Sequence, residues 1–253
     1  MSRTVDWDAA AYDDLADLPH DAWAEQVLSR LELEGDETVL DAGCGTGRMI
    51  AMLRDRHPGL TLIGADSSSA MLERARANLG DGVQLIESSL LELELDKPVE
   101  IVVSNAVFHW ITEHQALFDR IFALLRPGGR LEAQCGGDGN VGEIQRALEA
   151  LSGDERFAPY LRTERRPWNY ASVGDTELRL ARAGFREVSA WLEPWPLKPR
   201  DPHRYLATVV LPWHLDRLPE GLRDDFVAAV LGSTTRPLVV DYVRLNISAR
   251  RPE

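Results

Sequence analysis

Between residues 38 and 135, short aliphatic and β-branched runs alternate with longer stretches whose apolar positions recur every three or four residues. That switching of period is the signature of βα units feeding a parallel sheet. The short runs predict strands at 38–42, 60–66, 83–87, 99–105 and 130–135. Helical spacing fills the intervals with Met49, Ile50 and Leu53, then Met71, Leu72, Ala75 and Leu79, then Leu117, Ile121, Leu124 and Leu125. Each such helix can bury one face on the sheet. Punctuation agrees: His57-Pro58-Gly59 stops one helix, residues 67–69 cap the next, and Pro127-Gly128-Gly129 turns the chain into the fifth strand.

Before this core, Trp23, Val27 and Leu31 mark a helix beginning after Pro19, expected against the open edge of the sheet or over a pocket. After Cys135 come a glycine-rich link, a helix near 141–151, and an irregular stretch carrying Tyr160, Trp168 and Tyr170. A helix at 175–183 and a strand at 187–192 follow, and 238–248 closes the chain as a last strand. The segment 193–237 interleaves prolines with helical patches at 205–211 and 226–231, and reads as an inserted C-terminal helical cap. With part of 153–172 it is expected over the C-terminal ends of the strands, where a cover excludes water. The expected architecture is one α/β domain over 1–253. Residues 20–135 form its cofactor-binding half, 136–192 and 238–253 supply the remaining sheet elements, and 193–237 is the cap.

Composition narrows the partners. The 253 residues carry 28 Lys and Arg against 41 Asp and Glu, a net charge of −13, which disfavours a surface that neutralises nucleic-acid phosphates. No apolar run approaches the roughly 18 residues that span a bilayer, and acids stand where a signal peptide would be basic and then apolar. A soluble, cytoplasmic protein with no nucleic-acid or membrane partner is expected. Cys44 and Cys135 belong to no metal-binding spacing, so no metal is expected. Oligomeric state is not legible.

The sharpest motif is Asp41-Ala42-Gly43-Cys44-Gly45-Thr46-Gly47, after a predicted strand and before a predicted helix. Open α/β sheets bind nucleotide-like ligands there, because glycines let the backbone approach and a helix N-terminus offers free N–H groups. Asp66, at the end of the second strand, can accept hydrogen bonds from ribose hydroxyls. The spacing is Gly-x-Gly-x-Gly rather than the Gly-x-Gly-x-x-Gly that fits a pyrophosphate. Asp41 would repel phosphates and attract an ammonium. S-adenosylmethionine carries an ammonium and no phosphate.

The stretches VLDAGCGTG (39–47), LIGADSS (62–68), VVSNAVFHWI (102–111) and LLRPGGRL (124–131) resemble those of the class I S-adenosylmethionine-dependent methyltransferases. Trp7-Asp8 with Tyr12, and the pair His109-Trp110, are most like the small-molecule branch containing trans-aconitate 2-methyltransferase and juvenile-hormone-acid-type enzymes. The resemblance implies a Rossmann-like, mostly parallel seven-stranded sheet with helices on both faces and an antiparallel last strand. It also implies that Asp41, Gly43 and Gly45 line the methionine end of the cofactor, Asp66 the ribose, and Ser67 and Met71 the adenine. Asn105 would meet the ammonium. Ser89 stands where the family usually has an acid for the adenine amino group.

Methyl transfer from a sulfonium is an in-line displacement, so positioning is the main task. A base is needed for a hydroxyl or amine acceptor and not for a carboxylate. His109 is the candidate base or orienting residue, and His114 is expected to be solvated at a helix start. Phe108 reads as core, while Trp110, beside a sulfonium, gains a cation–π contact. Tyr12, Arg166, Trp168, Tyr170 and Trp213 are the other candidate acceptor contacts, with Arg166 and Arg204 able to grip a carboxylate. The expected reaction is O-methylation of a small-molecule carboxylate or hydroxyl. The competing readings are a non-catalytic adenosine-ligand-binding protein and a nicotinamide-dependent oxidoreductase, the latter disfavoured by Asp41 and the glycine spacing.

Overall fold

A computed structural model describes residues 19–161 and 168–253. Its strands are β1 (Thr38–Ala42), β2 (Thr61–Asp66), β3 (Gln84–Glu87), β4 (Val99–Asn105), β5 (Leu125–Gly136), β6 (Arg186–Leu197) and β7 (Val240–Arg250). They form a seven-stranded sheet in the order β3-β2-β1-β4-β5-β7-β6. Strands β1 to β5 pair in parallel, and β7 runs antiparallel to β5. The helices of more than one turn are α1 (His20–Leu28), α2 (Arg48–Arg56), α3 (Ser69–Leu79), α4 (His114–Leu124), α5 (Gly142–Leu151), α6 (Val173–Ala183) and α7 (Glu220–Gly232).

Period-two alternation assigns the two sheet faces. Leu40, Ala42, Val102, Leu131, Ala133, Leu245 and Ile247 join Leu117, Phe118, Ile121 and Leu180 from α4 and α6 in one core. Val39, Leu62, Ile101 and Val103 join Ala24, Val27, Met49, Ile50 and Leu72 from α1 to α3 in the other. Burying a side chain of this size contributes about 1.5–3 kcal/mol, so these two layers hold the sheet rigid beneath the site. Asp41 and Asn105, each two residues beyond a member of the second core, Val39 and Val103, share its face.

Three expectations change. Helix α1 does not lie at the sheet edge: it packs on the central strands β4 and β5, with Ala24, Val27 and Leu28 in one core with Ile101 and Val103 of β4. Strand β5 starts at Leu125, and Pro127-Gly128-Gly129 is absorbed as an irregularity where pairing passes from Val99↔Leu125 to Ile101↔Arg130. Strand β6 runs to Leu197, through Pro194 and Pro196, into the segment assigned to the cap. It ends the strand order, and an edge strand tolerates prolines because one row of its N–H groups pairs with nothing.

Chain contacts divide the protein into two compact units. One comprises the described residues 19–138, 168–193 and 244–253. The other comprises the described residues 139–161 and 194–243. In this second unit the Phe157 and Phe226 rings meet edge-on at 5.1 Å, and the Tyr205 and Tyr242 hydroxyls share a buried hydrogen bond of 2.9 Å. No helix among the described residues is long and apolar enough to cross a membrane.

Candidate active site

The chain runs outward from β1 through β2 to β3, then returns to place β4 on the other side of β1. At such a switch point the connections leave in opposite directions and open a crevice at the C-terminal ends of the strands. The loop after β1 enters it. The Gly43 and Cys44 N–H groups both donate to the Ala65 carbonyl, at 2.8 and 3.0 Å, tying this loop to the end of β2.

Gly43 and Gly45 are required for different reasons. Gly43 has φ +86°, and a Cβ there would lie 2.3 Å from Val107 Cγ2. Gly45 has φ +53° and open space where a Cβ would stand. Gly45 therefore answers a backbone demand, while the steric collision inside the protein belongs to Gly43. The void above Gly45 is a cradle that only a residue without a side chain leaves empty.

Asp66 ends β2, and its two oxygens accept the Gly45 and Ser68 N–H groups, each at 2.9 Å. Those bonds orient the carboxylate while each oxygen keeps a lone pair for a further donor. Burial holds its pKa above the usual range, against the lowering effect of the backbone N–H groups. Ser67 beside it is exposed, and Met71 is buried on α3 with its N–H donating to Ser68 Oγ at 3.3 Å. Ser89, beyond β3, accepts the Leu91 N–H through its hydroxyl at 3.3 Å.

Asp41 is 2% exposed, and its pKa is pushed up to about 8 by desolvation and then by the Asp66 charge. Its Oδ1 is buried with no hydrogen-bond partner among the described residues. The same holds for Asn105 Oδ1, whose amide Nδ2 donates to the His20 carbonyl at 3.2 Å. Two unsatisfied buried acceptors each cost about 1–3 kcal/mol until a donor arrives. They stand on one face of adjacent strands beside a second carboxylate, and this donor set suits an ammonium. With the glycine cradle and Asp66, the group suits the aminoacyl and ribosyl parts of S-adenosylmethionine.

On the acceptor side, His109 lies buried in the 3₁₀ turn Phe108–Trp110 after β4. Its Nδ1 accepts the Gly136 N–H at 3.3 Å. Burial first, then the Arg244 charge, keeps its pKa well below the ordinary histidine value. A neutral ring with Nδ1 as acceptor carries its proton on Nε2. Around it the ring centroids of Trp110 and Tyr170 lie at 5.0 and 5.7 Å, and Trp168 stacks on Tyr170 at 5.4 Å. The Asn169 N–H fastens this strip to the His109 carbonyl at 2.8 Å. Trp168 and Tyr170 are thus built into the sheet unit rather than the predicted cap. Phe108 is core, as its position in the alternation predicts.

Other expectations divide. His114 is buried rather than solvated, since its Nε2–H donates to the Phe108 carbonyl at 2.9 Å. Trp213 belongs to the second unit, under the Arg217 guanidinium at 3.4 Å from its ring centre. Tyr12 and Arg166 lie outside the described residues. Sequence reasoning missed His20, which meets Asn105 through a backbone carbonyl that no side-chain pattern announces. It also missed Gln134, whose one available signal is a polar residue in an otherwise buried strand.

Residues 39–129 match the family model of a methyltransferase domain. A trans-aconitate 2-methyltransferase of Methylobacterium nodulans is 32% identical over 189 residues, 74% of this chain and 67% of that one. One of Escherichia coli is 35% identical over 111 residues, 44% of each chain, so the match spans under half of that relative. A Haemonchus contortus phosphoethanolamine N-methyltransferase 2 solved with S-adenosyl-L-methionine shares the fold, with TM-score 0.62, 19% identity, and coverage of 97% of this chain and 57% of that one. The chain therefore belongs to the class I S-adenosylmethionine-dependent methyltransferases, and S-adenosylmethionine is its cofactor.

Proposed function

We propose that this methyltransferase acts on a small organic acid and methylates a carboxylate oxygen. Asp41 and Asn105 hold the cofactor's ammonium, Asp66 its ribose, and Gly43 and Gly45 leave it room. Ser67, Met71 and Ser89 flank the adenine. When bound, the cofactor supplies an electrophilic methyl group on a sulfonium. Trp110, Trp168 and Tyr170 wall the acceptor, and the aromatic faces favour a cation beside them.

The observation that carries the carboxylate reading is the engaged Nδ1 of His109. A neutral ring whose acceptor nitrogen is already bonded is poorly placed to take a proton, while its Nε2–H can donate to an acceptor oxygen. Hydroxyls and amines need a base; an ionised carboxylate does not. His109 is on this reading an orienting donor. The curated relatives bearing the name trans-aconitate 2-methyltransferase support the same class and make trans-aconitate the first acceptor to try.

The test is S-adenosylhomocysteine production with trans-aconitate, other carboxylic acids, phenols and amines, with the product then treated with alkali. A methyl ester releases its methyl group in alkali; a methyl ether or methylamine keeps it. His109→Gln is expected to retain much of kcat, with no new pH dependence between about 6 and 8, because no proton transfer through the ring is lost. An alkali-stable product, or a roughly 100-fold fall in kcat in His109→Gln, would replace the carboxylate by a protonated acceptor.

A further inference from the structure

Both peptide groups that flank His109 are bonded at each end. The turn leaves β4 through Ala106, whose φ is +62° and whose N–H donates to the Gln134 carbonyl at 2.7 Å. A side chain is disfavoured in that left-handed region, so the surroundings hold the chain there. In the Phe108–His109 peptide, the N–H donates to the buried Cys135 sulfur. Its carbonyl accepts the Ile111 N–H at 3.0 Å and the His114 Nε2–H at 2.9 Å. In the His109–Trp110 peptide, the carbonyl accepts the Asn169 N–H at 2.8 Å and the N–H donates to the Val107 carbonyl at 2.9 Å.

His114 is the first residue of α4 and is 3% exposed. Its ring packs against that of Phe118, with centroids 5.9 Å apart. Desolvation first, and also the Arg179 charge, lower its pKa against the opposing effect of the Phe108 carbonyl. A neutral ring that donates from Nε2 has Nδ1 as an acceptor, and this Nδ1 is buried with no hydrogen-bond partner among the described residues. Phenylalanine here would keep the contact with Phe118, leave the Phe108 carbonyl bonded by Ile111, and bury no such nitrogen. Packing therefore does not require a histidine at 114. What the histidine adds is a second donor on the peptide plane from which the His109 side chain springs.

We propose that His114 is a positioning residue for methyl transfer, acting through the Phe108–His109 peptide to aim the His109 Nε2–H at the acceptor. This rests on the placement of His109 beside the acceptor, and not on the acceptor being a carboxylate. Rotation of that peptide plane swings the imidazole. The ring's own bond to the Gly136 N–H, at 3.3 Å, is too long to hold it alone. Two donors on one carbonyl fix a plane that a single donor leaves free to turn.

The experiment is a double-mutant cycle of His114→Phe with His109→Ala, read by kcat on trans-aconitate, by calorimetric cofactor affinity and by denaturant midpoint. His109→Ala should lower kcat about 10-fold, and His114→Phe about 5-fold alone but less than about 2-fold on top of His109→Ala. Cofactor affinity should stay at its wild-type value in His114→Phe, and the denaturant midpoint should not fall. His114→Gln, whose amide nitrogen stands near the place of Nε2, should restore kcat. A second readout needs no acceptor: amide hydrogen exchange at Gly136, whose N–H holds the His109 ring, should quicken about 5-fold in His114→Phe while exchange at 131–135 is unchanged. Equal losses of kcat in both backgrounds, or exchange quickened along the whole strand, would mark a histidine that only supports the fold and would overturn the role. Wild-type kcat or wild-type Gly136 exchange in His114→Phe rejects it too. If His109→Ala keeps the wild-type kcat, the placement of His109 falls and the role of His114 with it. If trans-aconitate is not methylated, exchange at Gly136 decides. Should His114→Phe not fold, His114→Asn, whose amide stops short of the Phe108 carbonyl, takes its place in the same cycle with the same outcomes.

Discussion

Cofactor binding should expel a proton from Asp41. In the free protein its carboxyl group is buried, has an unsatisfied Oδ1 among the described residues, and feels the Asp66 charge, which together with desolvation raises its pKa to about 8. At pH 7 that group is about 90% protonated. An ammonium bonded to it favours the ionised form, so ionisation is drawn into the binding equilibrium. Reaching the carboxylate costs about 1.4 kcal/mol at pH 7 and about 2.7 kcal/mol at pH 6, one pKa unit being 1.36 kcal/mol. Affinity should therefore rise nearly tenfold from pH 6 to pH 7 and flatten as the pH approaches 8. Calorimetric titrations in two buffers of different ionisation enthalpy count the protons: about 0.9 released per cofactor at pH 7 in wild type, and none in Asp41→Asn. A wild-type titration with no proton release between pH 6 and 7 would refute the reasoning. Stability follows the same linkage. The folded pKa lies above the unfolded value near 4, so the contribution of this group is full below pH 4 and is lost as pH rises through about 8. Thermal stabilisation by cofactor should accordingly grow from pH 6 to pH 8.

Asp66→Ala should weaken cofactor binding by about 1.5–3 kcal/mol, the range for hydrogen bonds to a charged group; an unchanged calorimetric affinity in the folded variant rejects its ribose role. Gly43→Ala should cost about 2–5 kcal/mol of stability in denaturant titration, from the left-handed backbone and the overlap with Val107, and Val107→Ala should recover part of it. Gly45→Ala should cost only about 1–2 kcal/mol of stability, for its backbone angle, while filling the cradle and weakening the cofactor. A larger stability loss at Gly45 than at Gly43 would contradict that division.

Legibility in the sequence follows how local each determinant is. Strands β1 and β4 have the predicted bounds, 38–42 and 99–105, because buried strands are continuous apolar runs bounded by turns. The ends of β5 and β6 are hidden, because prolines and glycines signal a break whatever partner the next strand offers. Asp41, Gly43 and Asp66 are legible because a strand, a tight turn and a helix follow one another within a short segment. The state of His109 is not, since it depends on a backbone N–H at Gly136, in another strand. His114 fails for the same reason: the Phe108 carbonyl that receives it comes from the fold of the preceding turn.

Arg244 is the deepest case. The run Val240–Arg250 reads as an amphipathic strand, with apolar Leu245, Ile247 and Ala249 on one side and Arg244, Asn246 and Ser248 on the other. Ordinary alternation assigns the second set to solvent. Here Arg244 and Asn246 are buried, because α1 crosses that face and carries polar residues of its own, Gln26 and, just beyond its end, Arg30. Arg30 donates to Glu132, Asn246 and the Ala133 carbonyl, and Gln134 donates to Gln26 and Asn246. The matching of helix to strand is between polar partners, so no hydrophobic periodicity reports it. Burying such a network yields less than an apolar face of equal area, since desolvation offsets most of the gain. An apolar core occupies the other face of the same strands, so the fold does not require polarity here.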